Sequence, residues 1–154
     1  MKLAEALVLR ADVQKRIAQM RERLRQSALI QEGEQPPEEP QALLAELDQL
    51  LNQLRELIAR INRTNFQTHL PDGMTLTDAL AQRDVLDLRH SIITGLADTA
   101  AVRVERYGRS EIRKISTVNV TELRRQLDEI ARQRRELDTA VQATNWATDL
   151  IETA

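Results

Sequence analysis

Two arginines stand where a helical core should be apolar. Arg10 interrupts a stripe that steps three and four residues through Leu3, Ala6, Val13, Ile17, Met20 and Leu24. Arg83 does the same among Leu76, Ala79, Leu86, His90, Ile93 and Ala97. This stepping is that of coiled, packed helices, and a guanidinium inside such a stripe requires a carboxylate or an anion. In antiparallel hairpins Arg10 is expected level with Glu56 or Asn65, and Arg83 level with Glu136 or Asn145. Arg10, Arg83, Asn65, Asn145, Glu56 and Glu136 are therefore the candidate ligand-binding set, suited to a small anion in a polar pocket at the hairpin mouths. The competing reading is structural: Arg–carboxylate pairs that fix helix register.

The asparagines belong to a repeated block. Thr64-Asn65-Phe66-Gln67-Thr68-His69-Leu70 recurs as Thr144-Asn145-Trp146-Ala147-Thr148-Asp149-Leu150, 80 positions later and without a gap. Over 41–70 against 121–150, 11 of 30 positions are identical, including Leu43/Leu123, Leu47/Leu127, Arg55/Arg135 and Leu57/Leu137. The leading helices match at an offset of 73, which puts Arg83 where Arg10 falls. A two-helix unit has been duplicated, giving repeat unit one, 1–74, and repeat unit two, 75–154, in one domain. In each block the Asn is expected to close its helix in the left-handed conformation, with the aromatic ring capping the core and the threonines bonding nearby carbonyls.

Other chemistries find little in the residues. His69 and His90 are the only histidines and there is no cysteine, so no thiolate metal site, disulfide or cysteine nucleophile can form. No HExxH, Glu-x-x-His pair, Walker loop, GxGxxG or GxSxG occurs. No catalytic residue, metal ligand or cofactor is assigned. Basic patches at 103–114 and at Arg132, Arg134 and Arg135 are interleaved with glutamates, and the net charge is −2, so no nucleic acid is expected as partner. No uncharged stretch reaches membrane-span length and no apolar leader precedes the first helical pattern, so no membrane is expected and the chain reads as cytoplasmic.

The elements that position these residues follow from the same periodicity. Helices are expected over 3–30, 40–65, 77–104 and from the cap Asn119 to 145. With only 2% aromatic residues, the core must be built from Leu, Ile, Val and Ala. Gly33, Pro36, Pro37 and Pro40 make 31–41 an exposed acidic connection, whereas 105–119 is basic and carries a possible strand at 110–118. Pro71-Asp72-Gly73 is a turn signal that short arms at 67–70 and 74–76 would flank as a small β-hairpin, with Thr75 to Asp78 spaced as a capping box. Leu44, Leu51 and Ile58 add a second apolar stripe to the helix over 40–65, available to another hairpin or another chain.

Thr64-Asn65-Phe66-Gln67-Thr68 running through Leu70-Pro71-Asp72-Gly73-Met74-Thr75-Leu76-Thr77-Asp78-Ala79-Leu80, with Arg109-Ser110-Glu111-Ile112-Arg113, Arg135-Glu136-Leu137-Asp138 and Asn145-Trp146, resembles the septicolysin-like family of small bacterial proteins. The resemblance spans essentially the whole chain and implies no catalytic residues; the family's name implies membrane activity. The fold expected is all-α, four long helices as two tandemly duplicated antiparallel helical hairpins in a coiled-coil-like bundle. The function expected is a non-enzymatic scaffold or interaction protein that self-associates, most simply as a dimer. The alternatives are a small-ligand binder or unorthodox enzyme with a polar pocket at the repeat interface, and a membrane-active protein.

Overall fold

The apolar seams become four helices in the computed structural model: α1 (Leu3–Gln26), α2 (Pro40–Gln67), α3 (Leu76–Ala100) and α4 (Val120–Ala147). The structure describes residues 1–101, 112 and 114–152. The architecture is all-α, two hairpins in tandem, α1 with α2 and α3 with α4. Caps follow the local chemistry. The Thr75 hydroxyl accepts from the Asp78 amide at 3.1 Å, and Asn119 Oδ1 accepts from the Glu122 amide at 3.1 Å. Pro40 takes the first turn of α2, where its missing N–H costs nothing.

Several expectations change. Phe66 and Trp146, expected to cap the core, are 71 and 58% exposed. The helix expected over 3–30 stops at Gln26, because the Ser27 amide closes back on the Arg23 and Leu24 carbonyls, both at 3.2 Å. Asn65 and Asn145 do not close their helices in the left-handed conformation. Both lie inside regular turns, and positive φ among the described residues occurs only at Gly33 and Gly73. The final turns end instead on Thr68 and Thr148, whose amides donate to the Thr64 and Thr144 carbonyls at 2.9 and 3.0 Å. The β-hairpin arms also shrink, since α2 takes Gln67 and α3 takes Leu76. What remains is a tight turn: Leu70 N donates to Met74 O at 2.8 Å, Gly73 N to Leu70 O at 2.9 Å, and Asp72 Oδ1 accepts from Met74 N at 2.9 Å. Gly73 has φ +90°, a conformation a side chain would strain. Residues 112 and 114–118 of the strand expected at 110–118 are not strand, while 110, 111, 113 and the end of the third helix, 102–104, lie outside the described residues.

The chain forms two compact units. Unit one is Met1–His69 with Gln142–Ala154, and in it α1 packs along α2. Ala6, Val13 and Met20 recur at sevens on α1, as do Leu43, Leu50 and Leu57 on α2, and all six are buried. Such spacing keeps one side of each helix turned to its neighbour. At the far end Arg23 donates to Glu38 through Nε at 2.9 Å and lies 3.7 Å from Glu46. That bond holds the Glu38 carboxyl below its ordinary range.

Unit two is Leu70–Val141, comprising α3 and most of α4. Leu76, Ala79, Ile93 and Ala97 are its buried α3 residues, the inner face expected from the seam around Arg83. Two ion pairs set the antiparallel register. Arg83 Nη1 lies 3.3 Å from Asp138 Oδ1; four residues further along α3, and four back along α4, Asp87 Oδ1 lies 2.6 Å from Arg134 Nε.

Candidate functional site

The six candidate residues divide between the units. Arg83 and Glu136 lie in unit two, and they do not pair. Arg83 binds Asp138, while Glu136 is exposed and accepts from Arg132 on its own helix at 2.7 Å. The reason is helical phase. Two residues along a helix is a rotation of about 200°, so Asp138 and Glu136 point to opposite sides. In unit one, Arg10 is half-buried and Glu56 exposed, and neither has a hydrogen-bond or ion-pair partner among the described residues. Asn65 is half-buried and Asn145 buried. No hydrogen bond among the described residues joins any two of these four.

The duplication explains the unequal fates of the two arginines. At the offset of 80, Asp138 corresponds to Ile58 and Arg134 to Leu54. The second copy has carboxylate and guanidinium where the first has apolar side chains. Arg83 therefore finds a partner that the first copy does not offer Arg10. Both pairs of unit two are part-exposed, so they fix register more than they add stability. Hydrogen bonding from Arg134 holds the Asp87 carboxyl below its ordinary value of 3.8.

The repeated block does its visible work at the meeting of the chain's ends. Thr64 is 1% exposed; its hydroxyl donates to Arg60 O at 2.8 Å and accepts from Ile151 N at 3.0 Å. Arg60 reaches the same strip of chain through Nε to Ile151 O at 3.3 Å and Nη2 to Glu152 at 3.6 Å. On its other edge that strip pairs with the N-terminus: Leu3 N donates to Thr148 O and Leu150 N to Met1 O, both at 2.9 Å, forming an antiparallel bridge between Lys2 and Asp149. Lys2 Nζ lies 2.8 Å from Asp149 Oδ1 and holds that carboxyl below its ordinary range. The first Thr-Asn-aromatic copy is thus a clasp for the segment that follows the second. Pro71 stands where Ile151 stands in the other copy, and it has no N–H to give. That asymmetry was readable; the pairing of residues 1–3 with 148–151 was not.

A second feature is an apolar row on α3 turned away from its core. Val85, Leu88, Ile92 and Leu96 are 63, 61, 62 and 44% exposed. At 100° per residue they centre about 120° round the helix from Ala79, Ile93 and Ala97. The row escaped the seam reading because α3 is apolar on two faces, and the inner face, with its arginine, was followed alone. The steps of three and four from Ala81 to Ile92 were the available signal. Leu44, Leu51 and Ile58 on α2 are also exposed, as the second stripe implied. Between α3 and α4 lies an open cleft of about 350 Å³ floored by Leu86 and Ile130. Of the charged groups lining it, Arg125 is taken by Glu122 at 2.9 Å and Glu129 by Arg132 at 3.0 Å, which leaves Arg89 uncommitted. No three His, Cys, Asp or Glu side chains among the described residues are placed to hold a metal ion. No helix among them is long and apolar enough to cross a membrane.

The class defined by this geometry is a duplicated all-α hairpin protein. The chain belongs to a family of unknown function, DUF6847, which matches residues 10–150. It is also similar to a solved structure, that of a functionally unknown conserved protein from Corynebacterium diphtheriae. The two are 42% identical with a TM-score of 0.91, over 98% of this chain and 99% of that one. No curated protein matches.

Proposed function

We propose that this protein is a non-enzymatic helical interaction module that associates with itself, a dimer being the simplest form, in the cytoplasm. The outward row Val85, Leu88, Ile92 and Leu96 carries the reading. Four large aliphatic side chains aligned on one helix face, each roughly half exposed or more, form a contiguous strip rather than scattered surface residues. Burying a Val, Leu or Ile side chain contributes about 1.5–3 kcal/mol when complete, so covering this row yields several kcal/mol toward association. The exposed stripe on α2 supports the same reading. Nothing comparable favours catalysis: the strongest charged constellation, Arg83 with Asp138 and Arg134 with Asp87, is internally paired and fixes a helix register. Cysteine-free composition suits the cytoplasm.

Sedimentation equilibrium from submicromolar to about 100 µM protein tests it. A dimer or larger closed assembly is expected at the upper end. A 17.6 kDa monomer at every concentration overturns the reading.

A further inference from the structure

The outward row has the residue pattern of one particular partner. In heptad notation Val85 and Ile92 are a positions and Leu88 is the intervening d, with Ala81 at the d before. Among parallel coils, β-branched residues at a with Leu at d favour two strands. The flanking positions agree. Asp84 falls at g and Arg89 at the following e, and the g-to-e′ contact five residues on is the ion pair that a parallel two-stranded coil makes across its seam. Asp84 and Arg89 are of opposite charge, and neither has a hydrogen-bond or ion-pair partner among the described residues. This contrasts with Arg83, Asp87 and Arg134 on the inner side, which are all paired. Gly95, the next d, meets nothing among the described residues within 4 Å of a Cβ built there, so packing against them gives no reason for a glycine that weakens a helix interior. In a seam it lets the facing helix approach closely.

We infer that α3 packs in parallel against α3 of a second copy of this chain, through Val85, Leu88 and Ile92, with Asp84 of each copy paired to Arg89 of the other. The inference rests on the self-association reading and deepens it by naming the surface and the orientation. Two-fold symmetry makes the charge pair occur twice, so a single substitution acts twice. It also places Leu88 against its own counterpart. In an antiparallel pairing Leu88 would meet Val85 instead, and the g and e residues would face their own kind.

Four variants of this cysteine-free chain test this. Leu88→Cys is expected to form a covalent dimer on mild oxidation, read on a non-reducing gel, while Val8→Cys, at an exposed site on α1, stays monomeric. Arg89→Asp is expected to raise the dimer dissociation constant about tenfold by replacing two attractive contacts with two repulsive ones, and Asp84→Arg with Arg89→Asp to bring it back within about threefold. All four positions are on the surface, and circular dichroism verifies that each variant folds. A wild-type dimer indifferent to Arg89→Asp, with Leu88→Cys uncrosslinked, overturns this pairing and leaves self-association standing. Crosslinking only when Val85 and Leu88 are both cysteine overturns the parallel orientation. A monomeric wild type overturns both readings.

Discussion

The two hairpins descend from one unit and are held by different forces. Hairpin one relies on aliphatic burial: Leu43, Leu50, Leu57 and Ile61 of α2 are all below 5% exposure. In hairpin two, Ile130 and Val141 are the buried hydrophobic residues of α4, and its register is fixed by Arg83–Asp138 and Asp87–Arg134. Where the first return helix has Leu54 and Ile58, the second has Arg134 and Asp138. An apolar stripe fixes which side of a helix turns inward but tolerates small slides along its neighbour, whereas an ion pair requires two named residues at one height. The second return helix is the less buried of the two and the more exactingly registered.

The largest expected break in this comparison is at equivalent leucines. Leu57→Ala should destabilise by about 2–4 kcal/mol in urea denaturation, while Leu137→Ala, at a half-buried site, should cost roughly half as much. Equal costs would mean that the two hairpins bury alike. Next comes Thr64→Val, which strips the Ile151 amide of its acceptor and should cost about 1–2 kcal/mol. A double-mutant cycle on Arg83 and Asp138 should return a coupling of about 1 kcal/mol, falling with added salt. A coupling of zero would leave the register to packing alone.

The smallest effect is on acidification. Arg134 lowers the Asp87 carboxyl below 3.8, and Lys2 does so for Asp149. A carboxylate whose folded value is depressed stabilises above its unfolded value, and that contribution is lost as pH falls through the folded one. Amide protection factors in α3 and α4, corrected for intrinsic exchange, should therefore fall as pH drops below 3.8, and fall less with Asp87→Asn.

The four helices were legible because their seams repeat at three and four, and because Thr75, Asn119 and Pro40 mark starts by local chemistry. Helix ends were read less well. Asn65 and Asn145 suggested left-handed closures, but the threonines that follow them complete a further turn. The polar set was legible as residues and not as partners, although helical phase on α4 sets Asp138 beside the seam of Ile130, Leu137 and Val141 and Glu136 on the far side. The clasp was silent altogether: Leu3 and Thr148 share no periodicity, and their pairing is a property of the folded chain. The α3 outer row was present in the spacing but lay beneath a stronger inner one.

The bridge between residues 1–3 and 148–151 also bears on topology. Leu150 N reaching Met1 O repeats Leu70 N reaching Met74 O, at 2.9 and 2.8 Å, with the Pro-Asp-Gly turn missing between the partners. Two equivalent seams thus occur in one polypeptide, one sewn and one merely held closed by Thr64, Arg60 and Lys2. A gene opened inside Pro71-Asp72-Gly73, with a short linker from Glu152 to Met1, would encode the helices in the order α3, α4, α1, α2 and satisfy the same local bonds. The connectivity is cyclic, and circular permutation at that turn should leave the fold intact.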